Sequence, residues 1–178
     1  MRLHVSRGFS LIELMVALGI IGIIILFVVP NMKTFLNKSK TDVVASQLLQ
    51  AIHFTQNIAV SNHQVTTLCG SENFKTCIAS WHEGYMILSM EKIHYTFPHI
   101  AHGGFLYWRA FPNGKNNVEF LSNGKLNAEN GTFWYCVPHG ENPLFAIPIS
   151  QNGRARMIYP DANGKVVMES GEVLSCDA

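Results

Sequence analysis

The chain has 178 residues, with 13 Lys and Arg against 12 Asp and Glu and a formal net charge of +1. Its composition, 48% hydrophobic and 14% charged, is globular and excludes a disordered or low-complexity polymer. The near-zero charge excludes binding of nucleic acid or an anionic membrane by bulk charge, so any such activity has to come from a local cluster.

Residues 1–8 form a short polar leader that contains Arg2 and Arg7 and ends in Gly8. An apolar run over residues 11–29 follows, with one charge in it, Glu13. A bilayer core needs about 20 such residues in a helix, so the run is about long enough to span it. A carboxylate costs roughly 2.5–3.5 kcal/mol at the centre of such a helix and less near its edge, so Glu13 calls for a partner. A secretory signal fits poorly, because Pro30, Asn31, Met32 and Lys33 follow the run with no small-residue cleavage site. The basic residues precede the run, which favours a cytoplasmic N-terminus. A plain anchor helix is the alternative that the residues alone leave open.

Beyond Pro30, Val44, Leu48, Leu49, Ile52, Gln56 and Ala59 keep helical spacing, with polar residues on the other faces. One helix is expected over residues 9–62, bent near Pro30 and about 80 Å long. Its first half, 9–30, is apolar all round and suits a membrane or a fibre core. Its second half is amphipathic and suits docking on a globular domain, with Val44, Leu48, Ile52 and Ala59 as core.

The period then changes. Residues 63–178 read as a small antiparallel β domain with strands at 65–69, 84–90, 93–97, 105–110, 118–121, 132–137, 144–150, 155–159 and 166–169. Asn-Gly pairs at 113–114, 123–124, 130–131, 152–153 and 163–164 punctuate them as hairpin turns, since both residues tolerate positive φ. Pro143 and Pro148 point to an edge strand or an irregular path. The expected fold class is α+β, a long N-terminal helix packed on a small antiparallel β-sheet.

The cysteines are Cys69, Cys77, Cys136 and Cys176. In a chain exported past the membrane they read as disulfides, with three possible pairings. Cys69 with Cys77 closes a short loop, and Cys136 with Cys176 pins the C-terminal tail. Chain entropy gives roughly 2.6 and roughly 3.9 kcal/mol for these two as upper figures. A zinc site is the alternative, but no C-x-x-C pair supports it.

The string GFSLIEL, from Gly8 to Leu14, resembles the class III leader of type IV pilins and type II secretion pseudopilins. The resemblance implies that a prepilin peptidase cuts after Gly8 and methylates the new N-terminus at Phe9. It implies that Glu13 pairs with the terminal amine of a neighbouring subunit during assembly, which supplies the missing partner. The sequence LCGSENFKTC with Trp81, Gly84 and Tyr85, the sequence GTFWYC at 131–136 and the sequence SQNGRAR at 150–156 resemble the GspH/FimT family of minor pilins and pseudopilins. Such proteins sit in the bacterial inner membrane as single-pass subunits with a periplasmic globular domain. They then join other major and minor pilins in a pilus at the cell surface.

Gly153-Arg154-Ala155-Arg156 is similar to the GRxR motif of FimT-like minor pilins, which is implicated in DNA binding during natural transformation. Two arginines two residues apart share one face of an extended segment, and guanidinium forks match phosphate oxygens. Such contacts hold double-stranded DNA without reading its sequence. The expected DNA-binding set is Gly153, Arg154, Arg156 and Lys165, with Lys125, Lys115 and Arg109 as supporting cations. The opposing reading is a solvated strand face, favoured by Asp161, Glu169, Glu172 and Asp177 in the same stretch. The opposing function is a structural tip subunit of a secretion pseudopilus or of an adhesion or motility pilus, with no DNA binding.

Asp161, Asn163 and Gly164 resemble a fragment of a calcium loop but fit a hairpin turn better. His94, His99 and His102 lack a Cys or carboxylate at ligand spacing. Trp81, Trp108 and Trp134 read as core or sheet-packing residues. Nucleophile-elbow, P-loop and HExxH motifs are absent from the sequence. No enzyme and no cofactor are expected.

Overall fold

Helix α1 (Leu11–Asn62) opens the chain and runs through Pro30 without a break. Ser10 caps it: its backbone and side-chain oxygens accept the Glu13 N–H at 3.1 and 3.3 Å. At the other end His63 takes a positive φ of 52°, and the N–H groups of His63 and Gln64 bond back to Val60 and Ala59. That is a Schellman stop with histidine in the place usually held by glycine. In the computed structural model of the chain, residues 10–90, 92–98, 103–111, 114–127 and 130–176 are described.

The chain divides into two units, Met1–Lys40 and Thr41–Ala178. In the first, the described side chains from Leu11 to Leu26 are exposed all round the helix. Among the described residues no helix is long and apolar enough to cross a membrane.

The second unit takes in the later half of α1 and seven strands: β1 (Thr66–Gly70), β2 (Gly84–Ser89), β3 (Lys92–Pro98), β4 (Phe105–Phe111), β5 (Asn117–Phe120), β6 (Asn130–Cys136) and β7 (Phe145–Ile149). They form two antiparallel sheets rather than one, ordered β3-β2-β1-β5 and β4-β6-β7. The amphipathic stripe of α1 supplies Val44, Ala45, Leu48, Ala51, Ile52, Ile58 and Ala59 to the core. These side chains pack with Leu68, Ile87, Phe120, Phe133, Tyr135 and Phe145 from the strands. Burying each large member contributes roughly 1.5–3 kcal/mol relative to leaving it in water.

Strand β6 shows how the sheet divides two cores. Phe133 and Tyr135 face the α1 core, whereas Trp134 and Cys136 face a second cluster with Ala146, Val166 and Leu174. The C-terminal segment therefore lies on the outer face of the second sheet. Cys136 is bonded to Cys176 there, and Cys69 is bonded to Cys77 at the end of β1. Burial, and then the charge of the Asp42 carboxylate on α1, raise the pKa of Tyr159, whose hydroxyl donates to Met157 Sδ at 3.4 Å.

The last two expected strands are corrected. Residues 155–159 make only the bridges Ala146↔Ile158 and Ile149↔Ala155, and residues 166–169 only Val167↔Val173. Pro148 lies between the first two bridges and has no N–H to donate, so Arg156 is left with one long bond of 3.4 Å to its carbonyl. The Asn130-Gly131 pair is also corrected, since it opens β6 instead of turning the chain. A Cβ on Gly131 would meet the Trp108 ring at 2.2 Å, so glycine is there for close packing.

Candidate functional site

Four turns of one geometry, counted among the described residues, organise the C-terminal half. They close at Gly124, Gly153, Gly164 and Gly171, whose φ angles are 77°, 77°, 74° and 83°. In each, the glycine N–H bonds back three residues, to Leu121, Ser150, Asp161 or Met168, and that residue's N–H bonds to the residue after the glycine. This is a type I turn closed by a left-handed glycine. Asn123, Asn152 and Asn163 keep negative φ, so only the glycine of each pair supplies the left-handed step. The fourth turn has Ser170 where the other three have asparagine, which is why the Asn-Gly pattern passes over it.

The turn at Gly153 is wedged. A Cβ there would lie 2.3 Å from the Gly124 carbonyl and 2.4 Å from Gln56 Nε2, and Gln56 Nε2 donates to that same carbonyl at 2.7 Å. Gly153 is buried, and it is one of the residues that line the open groove formed with Arg154 and Arg156. Its role is to seat the following segment against α1 and the neighbouring turn. From that seat the chain alternates: Ala155 and Met157 pack on the core, while Arg154 and Arg156 are exposed.

Arg154, Arg156 and Arg109 line one open groove of about 1140 Å³. Arg109 comes from the middle of β4, with its guanidinium 5.7 Å from the Trp134 ring centroid. The groove also carries acid. Glu172 Oε1 accepts from Arg109 Nη2 at 2.7 Å, and Glu169 Oε1 pairs with Arg156 Nη2 at 2.5 Å. Both carboxylates belong to the fourth turn. Arg154 has no carboxylate partner among the described residues.

The other expected cations are elsewhere. Lys165 lies outside the groove lining, in the Asp161 turn, where its N–H and that of Asn163 donate to Asp161 Oδ1 at 3.0 and 2.9 Å. Those bonds, that of Lys165 foremost, hold the Asp161 carboxyl below the usual carboxylate range. Lys115 pairs with Glu119 at 3.6 Å, and Lys125 is exposed beside the Asn123 turn. Glu13 stands exposed in the first turn of α1. Gly8, Phe9, His99 and His102 lie outside the described residues. Among the described residues no three His, Cys, Asp or Glu side chains gather as metal ligands. Arg109, Glu169 and Glu172 enter the site through contacts that no local pattern in the sequence reveals.

Residues 3–29 match the prokaryotic N-terminal methylation motif. Residues 44–164, well over half of the chain, match the family described as type II transport protein GspH. No curated protein matches the chain in sequence. Among solved structures, the type IV minor pilin FimU of Pseudomonas aeruginosa is similar in one crystal form at 19% identity and TM-score 0.53, over 80% of this chain and 98% of FimU. A second crystal form gives TM-score 0.50 at the same 19% identity, over 76% of this chain and 98% of FimU. The minor pseudopilin EpsH from the type II secretion system of Vibrio cholerae is similar at 14% identity and TM-score 0.51, over 70% of this chain and 96% of EpsH. The helix packed on antiparallel strands is thus the fold of these subunits, as the α+β reading expects. The chain belongs to the GspH family of minor pilins and pseudopilins.

Proposed function

We propose that this GspH-family chain is a minor pilin of a type IV pilus that holds double-stranded DNA by its phosphates for uptake in natural transformation. The observation that carries this reading is the convergence of Arg109, Arg154 and Arg156 on one open groove. Guanidinium forks pair with phosphate oxygens in two parallel hydrogen bonds. Phosphate contacts position a duplex and carry no base information, which suits uptake of arbitrary sequence. Two or three such contacts give a log–log salt slope of about −2 to −3, so useful affinity needs several copies along a fibre.

The same reading makes the N-terminus an assembly device. A prepilin peptidase removes residues 1–8 after Gly8 and methylates Phe9. The apolar helix anchors the subunit in the inner membrane with its globular domain in the periplasm, and Glu13 then pairs with a neighbouring pilin's amine as the subunit enters the pilus.

A second reading, a structural tip subunit of a pilus or a secretion pseudopilus that binds no DNA, draws on the two ion pairs that already occupy Arg109 and Arg156. The similarity to FimU and to EpsH is equal for this purpose. The full-length protein in neutral detergent, titrated with duplex DNA at 50 and 200 mM salt, separates the two readings. Arg154→Gln with Arg156→Gln is expected to lower affinity about tenfold or more at low salt, whatever the duplex sequence. Unchanged binding discards these arginines as the site.

A further inference from the structure

We infer that the acidic tip of the fourth turn is a built-in competitor for the groove, with the Glu169 and Glu172 carboxylates standing where DNA phosphates are to bind. The inference rests on the phosphate-binding reading above and adds its regulation, with a test of Arg109 as the phosphate ligand from outside the motif.

The geometry is specific. Residues 166–174 fold back on themselves through Met168 N–H to the Glu172 carbonyl and Leu174 N–H to the Val166 carbonyl, at 2.8 and 3.1 Å. The base of this hairpin is fixed, because Val166 and Leu174 are buried against Trp134, and the next cysteine, Cys176, is bonded to Cys136. Its tip is exposed from Glu169 to Val173. The anchored base holds two carboxylates over two of the three arginines, one on Arg156 from the motif and one on Arg109 from β4. A carboxylate offers a guanidinium the same paired oxygens as a phosphate does. All four side chains are about half exposed or more, with relative accessibilities from 48% to 77%. Exposed pairs of this kind are weak, so a polyanion that brings several phosphates at once displaces them by rotation of side chains, with the fold intact. A single small anion gains too little to do so. The device therefore rejects isolated phosphates and carboxylates and admits a phosphate polymer.

The test is duplex-DNA binding by the full-length protein in neutral detergent at about 150 mM salt, where the Debye length is about 8 Å. Five proteins are compared: wild type, Glu169→Gln with Glu172→Gln, that variant with Arg109→Gln added, a control with Glu72→Gln and Glu141→Gln, and Arg154→Gln with Arg156→Gln. The control makes the same change in net charge at carboxylates that do not line the groove. Removing both competitor carboxylates is expected to raise affinity by about two- to twenty-five-fold over the control. Adding Arg109→Gln to that variant should take back a large part of the gain. Competition by inorganic phosphate should strengthen in the same variant, since the arginines then stand open.

A gain no larger than that of the control overturns the competitor. A gain untouched by Arg109→Gln overturns the third ligand. Neither result bears on the motif itself, which falls if the double arginine variant binds like wild type. Absence of binding in the variant freed of both carboxylates overturns both readings together.

Discussion

At Gly153 the backbone has a φ of +77°, and a side chain there would meet the Gly124 carbonyl and Gln56. A left-handed conformation costs an L-residue roughly 1–2 kcal/mol, and the crowding adds to that because one neighbour is backbone and the other is already bonded. Gly164 separates the two costs, since it has a φ of +74° and a Cβ added there would meet nothing within 4 Å. Gly164→Ala is expected to lose only the conformational part, about 1–2 kcal/mol. Gly153→Ala should lose at least about 1 kcal/mol more, since a backbone shift or a broken buried hydrogen bond is needed to fit it. Urea unfolding of the two variants measures the difference, and equal losses would remove the wedge as the reason for this glycine. On this account the glycine of the Gly153-Arg154-Ala155-Arg156 segment serves to seat the backbone from which Arg154 and Arg156 project.

At the scale of elements, the turns carry more of the design than the strands. Asp161 is the case in which charge alone can be tested. Its carboxylate accepts two turn N–H groups, and these bonds lower its pKa. A group whose folded pKa lies below its unfolded value near 3.8 stabilises the fold fully above that value and loses this contribution as pH falls through the folded pKa. Asp161→Ala should therefore melt lower than wild type at pH 7, and the gap should close as pH drops below about 4. A gap that stays constant down to pH 2 would show that the carboxylate charge contributes nothing to the turn. The helix and the first seven strands were legible in the sequence because their apolar runs are bounded by glycine, proline or asparagine. The eighth and ninth were not, because alternation at 155–159 ignores the missing N–H of Pro148. The Asn130-Gly131 pair misled because packing against Trp108, rather than a turn, selects its glycine. In the site, Arg154 and Arg156 were legible as neighbours two apart. Their acidic counterparts were visible only as nearby charge, since pairs such as Arg109 with Glu172 are made by the tertiary fold across 63 residues.

At the scale of the whole molecule, the question is what the exposed apolar stretch of α1 from Leu11 to Leu26 does with Glu13. Two accounts compete. In the local one, Glu13 closes a capping box opened three residues earlier by Ser10, whose hydroxyl oxygen accepts the Glu13 N–H, and its side chain only steadies the helix end. In the assembly account, the charge pairs with the amine of an adjoining subunit inside a fibre. Glutamine serves a capping box about as well as glutamate does, but it cannot neutralise an ammonium. Glu13→Gln is therefore expected to leave helix content, cleavage after Gly8 and membrane association unchanged. It should deplete the protein from sheared fibres by about tenfold or more, because one member of a buried charge pair is left without its counterpart at a cost of roughly 3–5 kcal/mol. Immunodetection in membrane and fibre fractions, with mass spectrometry of the N-terminus, reads all of these. Normal entry of the glutamine variant into fibres would return Glu13 to the capping role and leave the apolar surface of α1 to drive assembly by burial alone.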